Sequence, residues 1–186
     1  MAPTLGLPIH LLIVLAVSTL GDALTYRAWR DRLFGWGAMD GLQHGAVGLA
    51  VTLPVLLRLP GAWPYCVAFA TATLVDLDHF MTFPRWWPMA PSDWENRRNF
   101  HSLLVALIVG GVAWAIGGSV AWGWIACAGL VSHYLRDTTM GTVPIIFPVR
   151  FALKLTRPVY YAAEMALCAA SYAVAASYAV AASVGG

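Results

Sequence analysis

The sequence predicts an all-α, polytopic membrane bundle of about six transmembrane helices, and three observations carry that prediction. Hydrophobic residues fill 60% of 186 positions and charged residues only 11%, far from the roughly 25% charged residues of an ordinary soluble domain. Mean hydropathy is +0.69. The apolar residues gather into six runs, and a chain of 186 residues has no room for a second sizeable domain beside that many spans. A single transmembrane domain over residues 1–186 follows.

The first span, 5–21, follows a stretch from Met1 to His10 without Lys or Arg, so it lacks the basic n-region of a secretory signal and reads as a retained span. Behind it, Arg27, Arg30 and Arg32 alternate with Trp29, Phe34 and Trp36, a pattern that suits a short amphipathic helix on anionic lipid. The next four runs are Gly45 to Leu57, Ala62 to Val75, Leu103 to Ile116 and Val120 to Val131. Several fall short of the ~20 residues a span needs, so each extends through its polar flanks. The last span, 159–184, carries Ala162, Ala166, Ala169, Ala170 and Ala173 at spacings of three and four. Small residues at that spacing allow close helix contact, which makes this span the candidate surface for a homo-oligomer. Cys66, Cys127 and Cys168 are an odd, widely spaced set without a CxxC pair and read as small buried apolar residues.

Lys and Arg set the orientation. Arg27, Arg30 and Arg32 follow the first span, Arg85, Arg97 and Arg98 the third, and Arg136, Arg150, Lys154 and Arg157 the fifth, while the opposite side has Arg58 alone. Ten cationic residues against one place those three loops in the cytoplasm and both termini outside. Trp63, Trp122 and Trp124 then lie near the outer interface and Trp86, Trp87 and Trp94 near the inner one, the depths indole rings prefer.

This topology brings four polar clusters to the cytoplasmic face. His44 opens the second span, Asp76, Asp78 and His79 close the third, His101 and Ser102 open the fourth, and His133 and Asp137 close the fifth. Ionisable groups at membrane depth are costly, so several at one depth indicate a working site. His133 and Asp137 are i, i+4 and Asp76 and His79 are i, i+3, hence neighbours on a helix face. Singly, each cluster has a plainer reading: a helix-start residue for His44, interfacial termination for Asp76 to His79, a pair within one helix for His133 and Asp137, and an N-terminal cap for Ser102. Jointly, imidazoles and carboxylates in a partly dry pocket suit a divalent metal, zinc above all. The seven groups His44, Asp76, Asp78, His79, His101, His133 and Asp137 exceed the four positions of one structural zinc, which points to catalysis with one ion or two. Hydrolysis by a metal-activated water is the natural reaction class. Other polar residues rank lower, with His10 as an interfacial residue, Asp22 and Asp40 as solvated loop flanks, and Glu164 as a supporting partner or a mate for Arg157.

The runs Asp76-Leu77-Asp78-His79, Arg97 through His101-Ser102-Leu103, and His133 through Asp137 with Gly141 and Pro148 beyond resemble the membrane-bound metal-dependent hydrolases. That family includes the LexA-regulated inner-membrane hydrolase and is also called domain-of-unknown-function family 457. The resemblance spans about 44–148 and leaves the first and last spans unmatched. The family pattern has His and Thr where this chain has Asn96 and Phe100, so Arg97, His101 and Ser102 are the matching positions there. The resemblance implies an inner-membrane, metal-dependent hydrolase and names no substrate.

A site at the inner interface, flanked by Arg97, Arg98, Arg136 and Arg150, suits a lipid whose tails stay among the helices while its headgroup reaches the metal, because guanidinium forks match phosphate oxygens. A phospholipid or polyprenyl phosphate is the expected substrate, with Arg97, Arg98 and Arg136 on its phosphate. Asp78 is expected to accept a proton, while His101, Ser102 and Arg97 steady developing charge. The rival class is a proton- or metal-coupled transporter using the same groups. Against it, the groups sit at one face rather than through the membrane depth, and inverted halves with paired broken helices are lacking. A structural or assembly protein would leave the clusters without a role. A net charge of +2 with no long basic run excludes nucleic acid as a partner. The orientation predicts that alkaline phosphatase fused after Gly186 is active, and an inactive fusion with a functional cytoplasmic reporter in its place would reverse it.

Overall fold

A computed structural model describes residues 6–31, 36–76, 101–140, 143–144 and 152–184. Among these the chain forms six helices, α1 (Leu7–Arg30), α2 (Trp36–Leu56), α3 (Trp63–Thr73), α4 (Leu103–Gly117), α5 (Val120–Met140) and α6 (Arg157–Val184). A single 3-10 turn, Leu74–Asp76, follows α3, and a two-residue antiparallel pair, β1 (Val143–Pro144) with β2 (Ala152–Leu153), lies between α5 and α6. The all-α expectation therefore holds. α5 is the central element and packs against α2, α3, α4 and α6.

Helix ends follow local chemistry. Proline stands in the first turn of α1 and of α3, where its missing N–H costs nothing. Ser102 caps α4 by accepting the Val105 N–H at 3.3 Å, and Gly118, at φ 69°, closes that helix in the left-handed region, which only glycine enters freely. As expected, α1, α2 and α5 run on through their polar flanks, whereas α3 and α4, at 11 and 15 residues, do not reach span length as regular helix over the described residues. Arg27, Trp29 and Arg30 belong to the last turns of α1, so the separate amphipathic helix expected there does not form over the described residues. Just past α1, the Arg30 guanidinium bonds Asp31 at 2.8 Å and holds that exposed carboxyl below its usual range.

Beside a buried apolar core that includes Val14, Val51, Leu56 and Ile125, large apolar side chains are exposed and many polar ones are buried. Leu12, Leu107 and Ile116 are 65%, 66% and 83% exposed, whereas His10, His44, His101, His133, Asp137 and Glu164 are buried. Apolar side chains cover the outside, as lipid contact requires. By length and apolarity Leu7–Arg30 and Arg157–Ala181 are each able to cross a membrane, and Leu103–Gly117 is a shorter apolar helix.

Small residues set the spacing of the centre. A Cβ on Gly48 of α2 would stand 2.6 Å from Ala72 Cβ, and one on Gly129 of α5 would stand 3.0 Å from the Ala68 carbonyl oxygen, so α2, α3 and α5 approach closely only because both positions are glycine. The alanines of α6 do not serve this purpose. Its buried stripe is Tyr160, Glu164, Cys168, Ser171 and Ala175, and Ala162, Ala166 and Ala173 are exposed. Cys66 is also exposed rather than buried, and all three thiols are free.

His10, expected at the interface, is instead 1% exposed and ties three helices together. Pro54 lies inside α2 and has no N–H to give the Ala50 carbonyl four residues earlier. His10 Nε2 donates to that carbonyl at 2.7 Å, leaving Nδ1 to accept from Tyr172 OH of α6 at 3.1 Å. A His10→Leu variant should therefore lose about 1–3 kcal/mol through the orphaned carbonyl, while Pro54→Ala in the same background should recover most of it. Unfolding midpoints of the three proteins check this, and a double variant no more stable than His10→Leu would refute the linkage.

Candidate metal centre

The four polar clusters meet at one end of the bundle. His133 and Asp137 project from α5, His101 immediately precedes the Ser102 cap of α4, and Asp76 ends the 3-10 turn behind α3. Each of these four residues offers one ligand atom, and the four atoms lie within 4.8 Å of one another. The separations are nearly equal. His101 Nε2 is 3.3 Å from His133 Nε2 and 3.3 Å from Asp76 Oδ1. His133 Nε2 is 3.3 Å from Asp76 Oδ1 and 3.2 Å from Asp137 Oδ2, and His101 Nε2 is 3.5 Å from the same Asp137 oxygen. A regular tetrahedron with corners 2.0–2.1 Å from its centre, the zinc–nitrogen distance, has edges of about 3.3–3.4 Å. Five of the six edges fall within about 0.2 Å of that value, so the donor set fits a tetrahedral divalent ion in both chemistry and size.

The truncation of α3 orients the set. Helix geometry stops at Thr73, which frees the last carbonyls of α3 from the helical ladder. The Ala72 carbonyl accepts the His133 Nδ1 proton at 2.8 Å, which fixes the tautomer and leaves Nε2 as a bare lone pair aimed at the other three donors. A backbone or carboxylate partner on the remote nitrogen is the usual support of a ligating histidine. His101, His133 and Asp137 have side chains 0–3% exposed, whereas the Asp76 side chain is 28% exposed, making Asp76 the accessible corner.

Around this set lies a polar network that the sequence reading missed. Arg136, expected to touch substrate, is instead buried and donates from Nε to Asp22 Oδ1 at 3.0 Å and from Nη1 to Asp40 Oδ1 and to His44 Nε2, the last at 2.9 Å. Asp22 and Asp40 are thus buried, at 8% and 9% exposure, not solvated. Asp22 also accepts from Gln43 at 2.6 Å and Tyr161 OH at 3.0 Å, and Gln43 accepts from Thr25 at 2.7 Å. The missed signal was periodic, since His10, Val14, Ser18, Asp22 and Thr25 occupy one buried stripe of α1. His44 stacks on His133 at 3.8 Å between ring centroids, and forms a second possible ligand group with Asp40 and Asp76. Its Nε2 lone pair already receives the Arg136 guanidinium, so a positive charge stands where a further cation would bind.

Ser102 is a helix cap, and His101 faces the metal-type set rather than a separate charge-stabilising position. Glu164 is fully buried and does not pair with Arg157, whose guanidinium lies 5.8 Å over the Tyr26 ring. Asp78, His79, Arg97, Arg98 and Arg150, with Trp86, Trp87 and Trp94, lie outside the described residues.

The six described helices, with an apolar exterior and, at one end, a two-histidine, two-aspartate set buried except at Asp76, define a helical membrane-type bundle with a metal-fit centre. Residues 39–185 match the profile of the family described as YdjM inner membrane protein, and the chain belongs to that family. The match supports an inner-membrane protein, as expected, and runs from the start of α2 through α6, past the 44–148 covered by the sequence motifs. No curated protein and no solved structure matches the chain.

Replacing Arg136 with Met strands Asp22 and Asp40, and should cost about 3–5 kcal/mol as other broken buried ion pairs do. The triple variant Asp22→Asn, Asp40→Asn, Arg136→Met should recover most of that loss in chemical unfolding. A single Arg136→Met variant as stable as the parent would show that the network carries no structural weight.

Proposed function

We propose that this chain is a six-span membrane-embedded metal-dependent hydrolase whose centre, at the cytoplasmic interface, holds one divalent ion, zinc by preference, on Asp76, His101, His133 and Asp137. The near-tetrahedral spacing of these four donors is the observation that carries the reading. When bound, such an ion polarises a water and the scissile ester or phosphoester oxygen, the chemistry that hydrolysis requires. A closed set of four protein ligands is the mark of a structural zinc, and the exposure of Asp76 is what favours catalysis here. His101, His133 and Asp137 hold the buried corners, the Ala72 carbonyl keeps the His133 lone pair inward, and Asp76 stands at the open corner where a carboxylate oxygen is able to take a proton from water. His44 and Arg136 back this set rather than joining it.

The substrate favoured is a phospholipid or a polyprenyl phosphate. A groove of about 540 Å³ between α3, α4 and α5, lined by Val67, Thr71, Val109, Ala113, Trp122 and Ala126 among others, suits its apolar tail. Ala126 and His133 are seven residues apart on α5, about 10 Å along the axis, so tail groove and donor set share one helix face. A cleft of about 20 Å³, room for little more than a water, lies beside the centre and is lined by Asp22, Asp40, Arg136, Asp137 and Arg157. A headgroup phosphate would stay outside it, with Arg157 and the Arg97 and Arg98 that the sequence suggests as its cationic contacts. Transport is the second class. What weighs against it is that His10, the histidine at the far end of the bundle, is committed to Ala50 and Tyr172. The exposed alanine face of α6 is the surface we assign to a second copy of the chain.

Elemental analysis of the detergent-purified protein should find one equivalent of zinc or another divalent metal, absent from a folded His133→Ala, Asp137→Ala variant. Asp76→Asn should keep more metal than that variant yet lose about 10²-fold or more of the metal-dependent turnover of phosphatidic acid or polyprenyl phosphate vesicles. Protein that stays metal-free after reconstitution would overturn the reading, and metal flux into proteoliposomes without turnover would move it to transport.

A further inference from the structure

α5 carries two doublets side by side, Ser132 with Arg136 and His133 with Asp137, each at i, i+4. The second forms the metal centre with α3 and α4. The first turns toward α1 and α6, where Glu164 is 0% exposed and neither of its carboxylate oxygens makes a hydrogen bond of good geometry. The hydroxyls of Ser18 on α1 and Tyr160 on α6 are equally buried and equally unsatisfied. Ser132 acts on Glu164, and Glu164 and Ser18 act on Tyr160, so these oxygens face one another between α1, α5 and α6. Buried polar atoms are satisfied in nearly all proteins, and an uncompensated buried carboxylate is among the costliest of exceptions.

The charges point the same way. Among the described residues the interior holds Asp22, Asp40, Asp137 and Glu164, with Asp76 half-buried, against one buried guanidinium, Arg136. Arg136 is shared by Asp22 and Asp40, and a divalent ion at the metal centre would offset Asp76 and Asp137. No described cation faces Glu164.

We propose that Glu164 and the hydroxyls of Ser18, Ser132 and Tyr160 form a second cation site, for a hard monovalent ion of the sodium class. Oxygen donors without nitrogen or sulfur select hard cations and discriminate against zinc. A single carboxylate neutralises a single charge, whereas a divalent ion there would leave a net positive charge in a low-dielectric interior. Such an ion fastens α6 to α1 and α5 next to Tyr161, whose hydroxyl reaches Asp22, and it needs nothing from the hydrolase reading.

The test uses the full chain in detergent, with melting temperatures in NaCl against N-methylglucamine chloride at equal ionic strength and equilibrium binding of radioactive Na⁺. Saturable stabilisation by Na⁺ and one bound Na⁺ per chain are expected, both lost in Glu164→Gln while zinc content, read on the same samples, is unchanged. Ser18→Ala and Tyr160→Phe, which keep the carboxylate and test the site if Glu164→Gln fails to fold, should each raise the half-saturating Na⁺ concentration about tenfold, the loss of one ligand contact. Equal melting temperatures with no Na⁺ bound would overturn the proposal. So would stabilisation by acid alone, which would give the pocket to a proton, or Na⁺ binding untouched by all three substitutions.

Discussion

A guanidinium inside an apolar bundle has to be compensated, and the way Arg136 is compensated determines how the working end is built. Its Nε reaches α1 at Asp22 and its Nη1 reaches α2 at Asp40 and His44, so one α5 side chain fixes the position of two other helices. Desolvating such a charge is expensive unless its partners and their remaining hydrogen bonds are in place. Gln43, Thr25 and Tyr161 supply those bonds. Asp137 follows Arg136 directly, so the helix rotation that aims Arg136 at α1 and α2 also aims Asp137 and His133 at the metal centre. The network and the centre are therefore two faces of one helical register.

The centre depends equally on backbone that stops early. Had α3 continued past Thr73 as regular helix, the Ala72 carbonyl would have been spent within the helix and His133 would have had no fixed tautomer. Gly48 and Gly129 bring the Ala72 region close enough for that bond to form. At the far end the same device recurs in another form, since Pro54 leaves a carbonyl that His10 takes up. In both places a broken helical hydrogen bond becomes the attachment point for an imidazole from another helix.

The helices and the gathering of His44, Asp76, His101, His133 and Asp137 at one end were legible in the sequence, because apolar runs and the i, i+4 spacing of His133 and Asp137 are local properties. Arg136, Asp22 and Asp40 were misread because charge suggests solvent whenever a residue sits near the end of an apolar run. Only the phase of Asp22 on the His10, Val14, Ser18 stripe marks it as interior. The alanine pattern of α6 was legible as a small-residue face, and Ala162, Ala166 and Ala173 do lie on the exposed side of the helix, whereas the Tyr160, Glu164, Cys168 stripe that α6 buries was not, since spacing alone does not say which face a helix buries. His10 was missed because its partner, the Ala50 carbonyl, is a backbone group whose availability depends on a proline four residues away.

Two of the four donors are carried at the ends of the shortest helices. α3 has 11 residues and its 3-10 turn three more, and α4 has 15, lengths of roughly 20–23 Å against a hydrocarbon layer of about 30 Å. If α3 and α4 both cross the bilayer, as the six-span proposal has it, the bilayer meeting this flank would have to thin or draw headgroups down to their ends. In the six-span arrangement proposed, that deformation would fall on the side where Asp76 is exposed, dimpling the membrane toward the centre before anything binds. On the proposed arrangement, the depth of that dimple, and with it a preference among lipid compositions, would follow from where Thr73 ends a helix.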